Sequence, residues 1–248
     1  MAVYVAGEMY YKLDGQLMEI KRQLRQKDGY PFDPEKLSQA LQACIEGRFN
    51  VIDIFDYFTP ITDADVPTEH QATLAKYRKL AEEHGVSADV SLCYRVRTGF
   101  TLKRHAPRAG RCHDDLQYIQ NWHFKDTPTK NCLVFWVPRL VEDSTPKTLD
   151  QQRQLLLELR QRLELPEHHL SDFGEVSLVA GLVLAHSKIT GERIPLEDMS
   201  ARTDTRHADG RVLCLCPFGE GGLYCGLWYW SAGCYNIGVF ALGVELGS

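Results

Sequence analysis

Four of the eight cysteines and seven aromatic residues share the thirty-three positions from Val212 to Val244, together with seven glycines and a single charged residue, Glu220. Thiols and rings support two different chemistries. Cysteines attack electrophiles, or hold copper and zinc, as thiolates, and a thiolate needs a nearby cation or a helix N-terminus to stabilise it. No Lys or Arg falls between Val212 and Gly247. Cys214, Cys216, Cys225 and Cys234 also lack the C-x-x-C knuckle of structural zinc sites, and strand-borne cysteines of this kind read as small buried hydrophobes. Cys112-His113 with His123 is a weaker metal pattern still and reads as loop and core. The rings act differently: on rigid turns they supply contact area at low entropic cost. No glycine-rich phosphate loop, Ser-His-Asp order or paired-carboxylate pattern stands elsewhere in the chain. The expectation is a non-enzymatic binding protein, with no catalytic residue, metal ligand or cofactor assigned.

Composition sets the outer bounds. With 248 residues, 44% hydrophobic and 25% charged, the chain has the make-up of soluble globular material, enough for one large domain or two small ones. A net charge of -5 speaks against general nucleic-acid binding, which needs a surplus of cations to displace counterions from phosphate. One stretch departs from this balance: Lys103, Arg104, Arg108 and Arg111 form a basic loop suited to phosphate or an acidic partner. With residues 1–50 that loop defines an alternative, a nucleic-acid-contacting accessory protein. The N-terminus lacks a basic segment followed by an apolar one, and no apolar run nears the ~20 residues of a membrane helix. A cytoplasmic protein with reduced cysteines and no membrane partner is expected.

The elements that must position the C-terminal segment follow from periodicity. Leu13, Leu17, Ile20 and Leu24 predict an amphipathic helix, and Asp33-Pro34 starts a second that Leu37, Leu41, Cys44 and Ile45 line up to Gly47. Phe49–Phe58 is aromatic and β-branched. His70–His84 predicts a third helix, closed by Gly85. Val90–Leu102 alternates with period two and predicts a hairpin. Leu133–Val141 predicts a buried strand whose end Pro138 disturbs. Helices follow over Leu149–Leu165 and Phe173–Lys188, the second ended by Thr190-Gly191, with His186 placed to interact with its dipole. Short glycine-separated strands close the chain, and the last, Gly238–Leu246, can pair beside the first of this half. Runs of helix separated from runs of strand define an α+β fold.

Three short motifs carry a resemblance. Ile189-Thr190-Gly191, Arg193-Ile194-Pro195 and Ala201-Arg202, followed by the closing Ile237-Gly238-Val239-Phe240 and Gly243-Val244-Glu245, are similar to a helix-end turn, an Arg-Leu-Pro type motif, an Ala-Arg pair and a final glycine-aromatic strand. These belong to the C-type lectin fold as formylglycine-generating enzymes use it. The likeness covers about half the chain and leaves residues 1–90 outside it. It implies an N-terminal helical region over 1–90 and, over 91–248, a C-type-lectin-like domain of two helices plus short twisted antiparallel strands. The acidic tryptophan-rich part of the helix-end motif is reduced here to Leu196-Glu197-Asp198-Met199. The oxidase members handle copper with a reactive cysteine pair in a context that Cys225 and Cys234 do not reproduce. A copper- or zinc-dependent oxidase using the clustered cysteines is therefore the alternative, not the leading reading.

The chain more closely resembles the variable proteins of diversity-generating retroelements, which carry an exchangeable surface just before a fixed last strand. That resemblance implies a ligand-binding segment over about 211–237 that recognises a macromolecule, expected to be a protein. Phe218, Leu223, Trp228 and Trp230 are then expected to pack inward. Glu220, Tyr224, Gly226, Leu227, Tyr229, Ser231, Ala232, Tyr235 and Asn236 are expected to face the ligand.

Overall fold

The structure is a computed structural model that describes residues 7–25, 37–38, 41–42, 52–193, 199–229 and 233–246. The chain divides into two compact units, Met1–Val51 and Ile52–Ser248. In the first, α1 spans Gly7–Gln23. Leu17 and Leu24 on it are exposed and Ile20 is half-buried. The expected second helix lies outside the described residues except for two helical fragments, 37–38 and 41–42.

The second unit is a mixed body of helices and strands, compatible with the α+β expectation. Its strands are β1 (Phe58–Ile61), β2 (Cys93–Val96), β3 (Cys132–Leu140), β4 (Ser200–Arg206), β5 (Val212–Gly219), β6 (Gly222–Trp228), β7 (Ile237–Gly238) and β8 (Phe240–Leu246). Its helices are α2 (Gln71–Glu83), α3 (Leu102–Ala109), α4 (Leu149–Arg162) and α5 (Val176–Thr190). The strands form two four-stranded sheets, β1-β2-β3-β8 and β6-β5-β4-β7. All pairings are antiparallel except β4 with β7. The last strand does pair beside the first of the C-terminal half, Val134 opposite Val244.

Sheet one shows what period-two alternation produces when both faces are covered. Cys132, Val134 and Trp136 of β3 and Phe240 and Leu242 of β8 point into a core shared with α5. Phe135, Val137, Val239 and Ala241 point the other way, against α2 and α4. The disturbance from Pro138 is a shift of register between Trp136 and Leu140, because proline gives the ladder no N–H. Helix α5 is buried at ten of its fifteen positions, as a helix apolar on nearly every side must be. A Cβ at its Gly181 would overlap the Phe58 ring, so only glycine lets helix and strand approach this closely. Gly191, at φ +70°, ends the helix in the left-handed conformation. Helix α4 starts at a capping box between Thr148 and Gln151.

Sheet two lies on the same core through one face. Leu213, Leu215, Leu223 and Cys225 join α5 and sheet one, while Val212 and Cys214 on the opposite face meet Ile237 in a small cluster of their own.

Several expectations are corrected. The boundary at residue 90 falls inside the second unit, because β1 and α2 belong to sheet one and its cover. Ahead of the first strand, 54–56 are a 3-10 turn capped by Asp53, and the strand starts at Phe58. The hairpin expected over 90–102 is the single strand β2, paired with β1 and β3 rather than with its own continuation. The basic loop is helix α3. Its first two amides donate to the Asp126 carboxylate at 3.0 and 2.8 Å, a cap supplied from far along the sequence. Among the described residues, no helix is long and apolar enough to cross a membrane.

Candidate functional site

Alternation along β6 decides which side chains face out. Leu223 is fully buried, which turns Cys225 and Leu227 inward as well and leaves Tyr224, Gly226 and Trp228 on the other face. The expectation that Leu223 and Trp228 both pack inward fails on this parity. Trp228 is 36% exposed, whereas half-buried Leu227, expected to face the ligand, packs against the main core. Phe218 is buried as expected. Glu220, Tyr224, Tyr229, Tyr235 and Asn236 are exposed, with Tyr229 at 69% and Tyr235 at 86%. Gly226 is half-buried opposite Cys214, and a Cβ there would meet the Cys216 sulfur at 2.7 Å. It is a packing glycine that carries no free side-chain position. Trp230, Ser231 and Ala232 lie outside the described residues.

The outward face continues beyond the strand. Tyr224 stacks on Tyr118, ring centroids 5.0 Å apart, and takes His113 edge-on at 5.4 Å, while Trp122 meets Tyr118 at 5.7 Å. Tyr118 closes the free edge of β6: its hydroxyl accepts from the Cys225 amide at 2.8 Å and donates to the Cys225 carbonyl at 3.3 Å. Burial raises the Tyr118 pKa, so the phenol stays protonated and able to make both bonds. Gly222, at φ +105°, lies against the Arg111 and Cys112 backbone where a Cβ would collide, and Leu223 donates to the Arg111 carbonyl at 2.9 Å. Asp114, Asp115 and Leu116 all adopt left-handed φ, a strained arrangement for non-glycine residues. It is held by burial of Leu116 and by the bonds of Tyr118. Sequence reading missed this contribution of residues 113–122, because only the tertiary fold brings them to β6.

The exit of the segment is fixed as firmly. Buried Gln152 of α4 donates to the carbonyls of Ser144 and Ile237 at 2.9 and 2.8 Å. The Val239 amide donates to the Ser144 hydroxyl at 3.3 Å, and a Cβ at Gly238 would press on that same oxygen. Exposed aromatics therefore sit between an inward-facing strand end and a locked β7.

The cysteines divide between two environments. Cys225 is in the main core, while Cys214, Cys216 and Cys234 gather around Val212 and Ile237. Positive charge does reach them, from a different strand: fully buried Arg202 stands opposite Cys214. Burial still wins, pushing the Cys214 thiol up to about 12 against the pull of Arg202, and it raises Cys216 and Cys225 too. These thiols stay protonated and poorly nucleophilic at neutral pH. On α3, Lys103 donates to the Trp122 carbonyl at 2.8 Å and lies over the Phe124 ring, so one of the basic residues serves the fold. Arg104, Arg108 and Arg111 are exposed.

His186 takes its surroundings from the core. It is buried edge-on to Trp136, and burial lowers its pKa to about 4. Three ligand atoms converge elsewhere, at His168, His169 and Glu245. Glu245 is hydrogen-bonded to His169 Nε2 at 2.9 Å and pairs with His168 Nε2 at 3.0 Å. Partial burial works against its charge, yet these bonds hold its pKa below the ordinary value. No protein-family model, curated protein or solved structure matches the chain.

Proposed function

We propose that this chain is a binding protein that recognises a macromolecule, most simply another protein, through the outward face of sheet two and the turn that follows it. The observation that carries the reading is the exposure of Tyr224, Trp228, Tyr229 and Tyr235 beside Cys225, which is buried, and Leu227, which packs on the core. Large rings left in water on a fixed backbone are an interaction surface in waiting. The arrangement suits the variable proteins of diversity-generating retroelements on a C-type-lectin-like support, in which surface side chains change while the frame stays. A cytoplasmic location and action without a catalytic centre are parts of the same proposal.

Sequencing the 3′ end of the gene across a natural population tests it. Substitutions concentrated at the codons of 220, 224, 228, 229, 231, 232, 235 and 236, each matched to an adenine in a nearby repeat, are expected. Gly222, Leu223, Cys225, Leu227 and Gly238 stay constant in that outcome. A uniform segment with no repeat, or substitutions that fall equally on inward and outward codons, defeats the reading.

A further inference from the structure

We propose that His168, His169 and Glu245 form a binding site for a divalent transition metal of the zinc type, held by the two imidazole Nε2 atoms and the Glu245 carboxylate. The ligand atoms already lie within 4.8 Å of one another. Zinc bonds of ~2.0–2.1 Å at tetrahedral angles place ligand atoms about 3.3 Å apart. The Nε2-to-carboxylate separations here are 2.9 Å to Oε1 and 3.0 Å to Oε2, so seating an ion opens these contacts slightly and draws the three ligand atoms, now within 4.8 Å of one another, to a common spacing. Two histidines and one carboxylate are also the donor set with which zinc keeps a further position open.

The surroundings meet the second requirement of a metal site, that its ligands be aimed. His169 is fully buried, and its other ring nitrogen, Nδ1, lies 3.1 Å from the hydroxyl of buried Tyr77. With Nδ1–H donated to that hydroxyl, Nε2 is left with a lone pair for the ion. Gly243 makes this possible: a Cβ there would overlap both the His169 imidazole and the Tyr77 hydroxyl. Glu245 stands on β8 opposite Leu133, and the loop carrying the histidines is tied to the same strand where Leu170 donates to the Leu242 carbonyl at 2.9 Å. Glu245 borders an open groove of about 410 Å³ lined by His70, Arg95, Arg97 and Asn131. His70 stands nearby, its Nδ1 3.8 Å from Glu245 Oε1. This site is independent of the aromatic face.

The rival account is an ion-pair lock, with Glu245 accepting two imidazole N–H groups and no metal involved. Titrating the chelator-stripped full chain with Co²⁺, following visible absorption and then displacing with Zn²⁺, separates the two. One Co²⁺ per chain is expected, without a sulfur-to-metal charge-transfer band, and Zn²⁺ displaces it. His168→Ala removes an exposed side chain and Glu245→Gln keeps the shape of its residue; each is expected to weaken Co²⁺ binding at least tenfold while thermal unfolding stays cooperative. Absence of saturable Co²⁺ binding, undiminished binding by both variants, or a thiolate band abolished by Cys214→Ser would overturn the proposal.

Discussion

The two sheets use the same alternation and differ in what covers them. In sheet one both faces are buried, so Trp136 and Phe135, neighbours on β3, belong to two separate cores. In sheet two the inward residues of β6 join the core, while their neighbours Tyr224 and Trp228 reach water. Helix α5 serves both sheets from between them, packing on β1 of one and on β4 and β5 of the other. The difference shows how one fold separates two demands. Where a face is covered its side chains are tied to stability, whereas the uncovered stretch of β6 leaves Tyr224 and Trp228 in contact with water.

The sharpest way to break this comparison is across one peptide bond. Leu223→Ala is expected to cost about 3–4 kcal/mol, and Tyr224→Ala, next to it but facing out, less than about 1 kcal/mol. Urea denaturation of the two variants reads the gap directly, and equal costs would mean that the outer face is structural. Glycines sharpen it further. Gly243→Ala forces a methyl into His169 and Tyr77 on sheet one and is expected to lose about 3 kcal/mol. Gly219→Ala, in the β5–β6 hairpin where a Cβ meets nothing, is expected to stay within about 0.5 kcal/mol.

The shared helix adds a pH dependence. His186 has a folded pKa of about 4, below its ordinary 6.5, because burial disfavours the imidazolium. The unfolded chain therefore binds the proton more tightly, so this residue's contribution to stability is complete above pH 6.5 and is lost as pH falls towards 4. A loss on the order of 2–3 kcal/mol over that window is expected, and His186→Leu is expected to remove that part of the slope. A slope unchanged in the variant would place the titration elsewhere. The smallest expected effect is at the strand edge. Tyr118→Phe deletes the hydroxyl that brackets Cys225 and is expected to cost about 1 kcal/mol, with faster hydrogen exchange at the Cys225 amide as its local signature.

Much of the scaffold was legible in the sequence where the pattern was long and periodic. The helices over 71–83, 149–162 and 176–190 and the strand over 132–140 follow from apolar spacing and their capping residues. The exposure of Tyr224, Tyr229 and Tyr235 was legible too, since a glycine-punctuated, nearly uncharged run leaves its rings few places to hide. What escaped depends on partners far along the chain. Asp126 turns the basic stretch at 102–109 into a helix, and residues 113–122 dock on β6 through the Tyr118 hydroxyl. Trp228 and Leu227 stand on the faces opposite to those expected because parity along a strand is set by one anchored residue, and Leu223 becomes the anchor only once its burial is known. His168, His169 and Glu245 meet across 76 residues of sequence, a separation that no local spacing bridges.

The central claim is that the outward side chains of this segment are spared the stability that its inward side chains carry, and saturation mutagenesis of residues 218–240 under a protease-resistance selection tests it most directly. Positions 220, 224, 228, 229, 235 and 236 are predicted to accept most residue types while 222, 223, 225, 227 and 238 accept almost none. Tolerance spread evenly along the segment, or intolerance at the outward aromatics equal to that at Leu223 and Cys225, would contradict it.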